Sequence, residues 1–284
     1  MAIWIMHGVV AQADFLSFTH RHLFDTDRFQ RFLKQRSPKF VDLDLAVAGD
    51  GDALTIDDST SAAADAAELC RATGHAVTLF VNARNIAQQQ AYWFALLNVL
   101  VDCCACDSIL LNGGSFPLHN LSTRQRFRKA AKRATLSLDN EEAREAFILR
   151  LARSVNVHSL PVPGHLATIS LDRLRRLQAI GIRIENHGWT HGNVAAMSRQ
   201  EVIEDIRKGA DWLREEAEVV ASHYAVPFGT AMPPDTLPTS LYGLWHLADE
   251  NLPVGRLDAR LVNRATLSDD ALLGESPKAI GNLR

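Results

Sequence analysis

No stretch of this sequence approaches the ~20 consecutive apolar residues that a membrane-spanning helix needs, so a helical membrane protein is not expected. Cysteine is scarce. Cys70, Cys103, Cys104 and Cys106 are too few to form a disulfide framework in a chain this long, and they read as reduced thiols. The run Cys103-Cys104-Ala105-Cys106 is too crowded for a zinc knuckle, and no second Cys or His pair stands beside it. An excess of charge is missing too: a net charge of -3 gives no general attraction to nucleic acid or to an anionic membrane. The first residues, Met1 to Val10, are apolar but lack a basic leading region and are interrupted by His7. They read as a buried first strand rather than a secretory signal, and the expected setting is cytoplasmic. Repeats and low-complexity segments are absent. What remains is ordinary for a globular protein, 47% hydrophobic and 22% charged residues over 284 positions. That is enough for one large α/β domain.

The centre of the chain's organisation is Ala53-Leu54-Thr55-Ile56-Asp57-Asp58, in which apolar and β-branched residues run into two adjacent carboxylates. It reads as a buried strand ending in a site, followed by an alanine-rich helix over 62–72 that stops at Gly74. Ile3 to Met6, Ala76 to Val81, Ile182 to Glu185 and Tyr224 to Val226 have the same buried-strand character, and further strands are expected over 244–247 and 261–267. A helix is expected near 25–35, and a short strand or hairpin arm over Leu43 to Val47. Leu171, Leu174, Leu177 and Ile180 share one helical face. Ser198 with Glu201 has the capping-box pattern that opens another helix. The strand-helix rhythm breaks at about 86–159 into a mostly helical insertion. One of its helices is amphipathic (Tyr92, Trp93, Leu96, Leu97, Leu100, Val101), one is basic (Arg124, Arg126, Arg128, Lys129, Lys132, Arg133), and a third opens at Asp139 or Asn140. The basic face has two readings: a solvated surface, or a contact for a phosphate or uronate group of a substrate. The sum is about seven parallel strands around one sheet, most simply closed as a barrel.

Two like charges side by side at a strand end each disfavour the other's ionisation unless something positive sits with them, and a divalent cation would meet that need. Asn186-His187-Gly188-Trp189-Thr190-His191 supplies plausible partners, since imidazoles four residues apart share one face of a helical turn. That spacing alone is weak in a chain with 11 histidines. Its weight comes from position: Asp57-Asp58, His187-His191 and Pro227-Phe228-Gly229 each follow an expected strand, so all three would gather at the carboxyl end of a barrel. The bland alternative is a helix-capping aspartate and two surface histidines.

The order Thr-Ile-Asp-Asp, then Asn-His-Gly-Trp-Thr-His, then Pro-Phe-Gly resembles the polysaccharide deacetylase family of metal-dependent carbohydrate esterases, over nearly the whole chain. The resemblance implies a distorted (β/α) barrel, with Asp57 as catalytic base and Asp58, His187 and His191 as ligands of one divalent ion. It places the backbone N–H of Phe228 as a donor to the reaction's oxyanion. Zinc is the first choice of metal, with cobalt, nickel, manganese or iron as alternatives. Two departures stand out. Ala225 occupies a position where the family often has an arginine that fixes the base. The family's late Leu-x-His, which supplies a general acid, is matched by letter at Leu244-Trp245-His246, close after Pro-Phe-Gly. His7 is a further pocket or core histidine, and Trp189 either stacks on a sugar or packs the barrel.

The reaction so implied is hydrolysis of an N-acyl group, acetyl or formyl, from an amino sugar. The expected substrate is an intracellular precursor of a surface glycan, nucleotide- or lipid-linked. Two other readings stand beside it: a metal-containing carbohydrate-binding scaffold without turnover, motivated by Ala225 and the unclear acid, and an amidase for a non-sugar substrate.

Overall fold

A computed structural model describes residues 1–11, 23–229, 241–268 and 272. A nine-stranded sheet forms the framework. Eight of its strands are parallel: β1 (Ile3–Met6), β2 (Ala53–Asp57), β3 (Thr78–Val81), β4 (Arg183–Asn186), β5 (His223–Ala225), β6 (Leu244–Leu247), β7 (Leu261–Asn263) and β8 (Ala265–Thr266). The ninth, Gly255–Arg256, lies antiparallel outside β7. β1 to β6 neighbour one another in chain order, and β7 and β8 are two halves of one segment. Residues 261–263 pair with β6 at one edge, and residues 265–266 pair with β1 at the other. The segment 261–266 therefore nearly closes the sheet into a barrel of seven strand positions, as expected from the sequence. The break between the halves falls at Arg264, whose own N–H donates to the Leu247 carbonyl at 3.0 Å.

The helices pack where the apolar pattern requires. In the helix Ser61–Ala72, five alanines and Cys70 are buried, and the Thr60 hydroxyl accepts from Ala63 N at its start. Alanine lets that helix come close to the strand Gly8–Val10. A Cβ on Gly8 would lie 2.4 Å from the carbonyl carbon of Ala62. The Ser198–Glu201 capping box is present and opens the helix Arg199–Glu216. Among the described residues, no helix is long and apolar enough to cross a membrane.

Two expectations are corrected here. Leu43 to Val47 is not a strand but part of a helix, Leu43–Ala48, capped by Asp42 and closed by Gly49 at φ 102°. The apparent alternation misleads because burial follows a three-residue step: Leu43 and Ala46 are buried while Leu45 is exposed. The second correction is that Cys104 and Cys106 are joined in a disulfide, whereas Cys70 and Cys103 are free.

Between β3 and β4 the insertion builds a second apolar cluster around Trp93, Leu97, Phe127 and Ile148. Its helices include Trp93–Cys103, Leu121–Leu136 and Glu141–Ser154, the last capped by Asn140. An antiparallel hairpin, Ser108–Leu111 with Gly114–Pro117, joins the first two. Thr123, Phe127, Ala131 and Thr135 turn one face of the basic helix into this cluster. The opposite faces of that helix are thereby left to line the site or to meet solvent.

Candidate metal centre and active-site cavity

The carboxyl ends of the barrel strands open into a cavity of about 680 Å³, lined at its base by His7, Asp57, Asp58, His187, His191, Phe228 and Arg264. Each follows from its strand. Asp57 is the last residue of β2, and Asp58 takes the next step with φ at 76°. A left-handed conformation at a non-glycine residue costs on the order of 1–3 kcal/mol and persists where surrounding contacts enforce it. Here it swings the Asp58 carboxylate toward the histidines: Oδ1 lies 3.3 Å from His191 Nε2 and 3.8 Å from His187 Nε2. The ligand atoms of Asp58, His187 and His191 all lie within 4.8 Å of one another, and all three residues are buried.

His187 and His191 do not share a helical face as the spacing suggests. They bracket a loop in which Gly188 has φ 87° and His191 φ 53°. Asp205, from the helix Arg199–Glu216, holds that loop. Its carboxylate accepts from Trp189 N and Thr190 N, each at 2.9 Å, and from the Thr190 hydroxyl at 2.6 Å. Position 188 must then be glycine for space as well as for φ, because a Cβ there would sit 2.5 Å from Asp205 Oδ2. A second strap runs through the insertion. Ser59 N donates to the Tyr92 hydroxyl (2.8 Å), Tyr92 donates to Asn82 Oδ1 (2.9 Å), and Asn82 Nδ2 donates to the His187 carbonyl (2.6 Å). Burial pushes the Tyr92 phenol well above its ordinary range, so it remains a donor.

The electrostatics match a cation site. Burial alone would raise the Asp58 carboxyl, but the close approach of His191 and the charges of His191, His7 and His187 hold it well below the usual carboxylate range. Burial lowers His187, whereas Asp58 outweighs burial at His191 and raises it. His187 Nδ1 lies 2.8 Å from the Ala225 carbonyl, which can only accept, so Nδ1 carries the proton and Nε2 is left to ligate. Asp58 Oδ1 and His191 Nδ1 are buried with no hydrogen-bond partner among the described residues. An orphaned carboxylate oxygen facing two imidazole nitrogens fits a divalent ion, which would supply the missing partner.

Asp57 is held differently. Arg264 grips both its oxygens, Nη1 to Oδ1 at 2.6 Å and Nη2 to Oδ2 at 2.7 Å, while its Nε donates to the Leu247 carbonyl at 3.1 Å. The Ala225 departure is thereby answered, because the arginine that fixes the acidic partner arrives from the β7–β8 junction rather than from β5. Replacing Arg264 by Lys keeps the charge but permits no parallel pair of bonds. Arg264→Lys is expected to lower kcat about tenfold while leaving metal content unchanged, because hydrogen bonds to charged groups carry roughly 1.5–3 kcal/mol. Steady-state kinetics alongside metal analysis will check this, and an unaltered kcat would deny the arginine its positioning role.

The remaining residues named from sequence fall as follows. Phe228, at φ 64°, lines the cavity, its ring 4.9 Å from that of His191. His246 does not line the cavity. It is fully buried in β6, and its Nε2 lies 2.8 Å from His223 Nδ1, which links on through His223 Nε2 to Asp44. Burial, then the charges of His223 and Arg264, hold its imidazole well below the usual range, which favours the neutral form over the imidazolium that a general acid needs. Trp189 lies behind the loop, in a separate cavity, with Lys208 Nζ 4.3 Å from its ring. His165 and the insertion residues Trp93, Phe94, Asn98, Gln125, Arg128 and Lys132 also line the main cavity. Arg126 and Arg133 of the same helix are exposed and lie outside it.

A parallel barrel that gathers two imidazoles, an ion-ready carboxylate and a second, arginine-held carboxylate at one end has the layout of a hydrolytic site. The chain belongs to the polysaccharide deacetylase family, which residues 49–239 match. The family's reaction is deacetylation of sugar polymers, the hydrolysis of an amide bond. Among solved structures, the Streptococcus pyogenes deacetylase PplD in complex with acetate is 12% identical, covers 96% of each chain and superimposes with a TM-score of 0.59. IcaB from Ammonifex degensii is 14% identical over 96% of this chain and 93% of that one, with a TM-score of 0.55. A de-N-acetylase from Aggregatibacter actinomycetemcomitans is 10% identical over 94% of both, with a TM-score of 0.53. At these identities the likeness speaks for the fold. No curated protein matches the chain.

Proposed function

We propose that this protein is a metal-dependent N-deacylase that removes an acetyl or formyl group from an amino sugar of a glycan or its precursor. Asp58, His187 and His191 would hold one divalent ion. Two imidazoles and one carboxylate suit zinc first, and leave cobalt, nickel, manganese or iron usable. A bound ion would lower the pKa of a coordinated water and polarise the acyl carbonyl.

The chain's own residues account for the rest. Asp57 is the base: Arg264 occupies one lone pair on each of its oxygens, and each oxygen keeps another that can accept a proton from the attacking water. Its Oδ2 lies 3.8 Å from His187 Nε2, next to the ligands without being one of them. The N–H of Phe228 would donate to the developing oxyanion, at the turn where β5 enters the cavity. The leaving amine needs a proton, and among the described residues His7 and His165 are the histidines besides the ligands that line this cavity.

One observation carries the reading: the buried Asp58 Oδ1, without a hydrogen-bond partner yet facing two imidazoles, stands beside a carboxylate whose two oxygens are gripped by an arginine. The same arrangement disfavours a scaffold without turnover, which would have no use for a second, unligated carboxylate. The test is acetate or formate release across a panel of N-acyl amino sugars, on protein stripped of metal and then reloaded. Release that appears with metal and vanishes without it is expected. No release from any member of the panel by the reloaded protein would overturn the proposal.

A further inference from the structure

Part of the cavity lining is an apolar stretch that the hydrolytic groups do not use. Around His191 it is aromatic. The Phe228 ring lies 4.9 Å from the imidazole and the Phe94 ring 5.5 Å from it, and both are half-buried lining residues. Phe94 comes from the first turn of the insertion helix Trp93–Cys103 and stacks on Tyr92, with ring centroids 4.8 Å apart. Tyr92 is buried and its hydroxyl belongs to the strap from Ser59 to His187, so the Phe94 ring rests on a fixed support. From Phe94 the stretch runs on into Ala95, Leu166 and Leu23, which share one apolar cluster with it and also line the cavity. Leu23, Phe94 and Leu166 arrive from three separate segments: the strand Leu23–Asp25, the insertion helix and the turn Gly164–Leu166. The stretch is therefore assembled by the tertiary fold and is not the apolar face of any one element.

An acyl group hydrolysed here has its carbonyl carbon beside Asp57 and the histidines, so its alkyl part falls among the groups that flank them. The single methyl of an acetyl group occupies little of a surface built from two rings and three aliphatic side chains. Sugar hydroxyls are poor occupants of the same stretch, because a hydroxyl withdrawn from water against carbon loses its hydrogen bonds. Sites of about 300–1,000 Å³ hold drug-sized ligands, and this cavity of about 680 Å³ has room for a sugar together with an extended chain. We infer that this site prefers a linear acyl chain longer than acetyl, and that Phe94 and its aliphatic neighbours bind that chain. The reaction is unchanged: the oxygen of water bonds to the acyl carbon, the C–N bond breaks, and the products are a carboxylate and the protonated amine. The inference rests on the deacylase reading for the bond that is broken, and it extends the acyl range beyond acetyl and formyl.

The test measures binding apart from turnover. Acetate, propionate, butyrate and hexanoate, the carboxylate products of four acyl chains, are titrated by calorimetry into the metal-reloaded full chain. Each buried methylene is worth up to about fourfold in affinity, so hexanoate is expected to bind at least roughly tenfold tighter than acetate. Phe94→Asn should flatten this gradient, and Phe94→Leu, which keeps an apolar side chain, should restore most of it at equal metal content. Phe94→Ala takes the place of Phe94→Asn should that variant not fold. Leu110→Asn, at an exposed position of the insertion hairpin outside the cavity, should leave the gradient intact. A flat or falling gradient, no binding of any carboxylate, or a gradient that survives the loss of the Phe94 ring would overturn the inference. Turnover is scored separately, on glucosamine oligomers carrying the same four acyl groups. A higher kcat/KM for butyryl than for acetyl is expected, and acetyl as the best of the four would also overturn the inference. Release from none of them counts against the deacylase reading, while the carboxylate gradient still decides the acyl pocket.

Discussion

Asp57→Asn is expected to lower kcat by about 10²–10⁴-fold, the usual worth of a general base, while the protein keeps its full complement of metal. The substitution preserves shape but removes the negative charge, and with it the capacity to take a proton. The amide oxygen of Asn can still accept one bond from Arg264, so the guanidinium stays engaged in its fully buried place. The cost of leaving the buried Arg264 charge uncompensated falls on stability, on the order of 3–5 kcal/mol. A drop in thermal midpoint therefore accompanies the kinetic loss without explaining it. KM should change little, because a base acts on the attacking water in the transition state rather than on the bound sugar. The decisive pairing is kcat with metal content measured on the same preparation. If metal is lost together with activity, Asp57 is a ligand and the two neighbouring carboxylates have exchanged roles.

The distinction between Asp57 and Asp58 was only partly legible in the chain. The strand running into two carboxylates is visible because a buried parallel strand is continuous in apolar residues, and Leu54 and Ile56 are indeed fully buried. The same physics exposes β3 and β4, and with them the site end that carries His187. What separates the two aspartates is tertiary. Asp58 turns toward the histidines through a positive φ, and Asp57 meets an arginine 207 residues away, a pairing that no local period can signal. A hint lay in the composition of Leu261-Val262-Asn263-Arg264-Ala265, where a lone charge stands inside a strand-like segment; a buried charge demands a partner. The loop between His187 and His191 was hidden for another reason. A four-residue spacing suits both a helical turn and a tight loop, and only the Asp205 carboxylate beneath Gly188 decides for the loop. The hairpin in the insertion was legible, since Asn112-Gly113 stands at its turn with φ 51° and 79°, the left-handed pair that such dipeptides favour.

His187→Ala is expected to abolish stoichiometric binding of a divalent ion, with activity lost as a consequence. Of the three donors, His187 is the one whose geometry is most completely prescribed. Its backbone continues directly from β4, its carbonyl is tied to Asn82, and its Nδ1 is committed to the Ala225 carbonyl. Removing an outer-shell partner of a metal ligand typically costs 10–100-fold in affinity, so removing the ligand itself should cost more than that. Asp58 and His191 would be left as a two-donor site, too few to compete with water or chelator for zinc. The truncated side chain also leaves a void in a fully buried position and strands the Ala225 carbonyl, so some loss of stability is expected in addition. Circular dichroism and a thermal melt of the metal-free forms of both proteins isolate that contribution, because neither then carries the ion's stabilising effect. Metal content by elemental analysis, and affinity by competition with a chromophoric chelator, then report on the ligand role alone. A folded His187→Ala protein that still binds one ion per chain with unchanged affinity would remove His187 from the donor set, and the proposed centre with it.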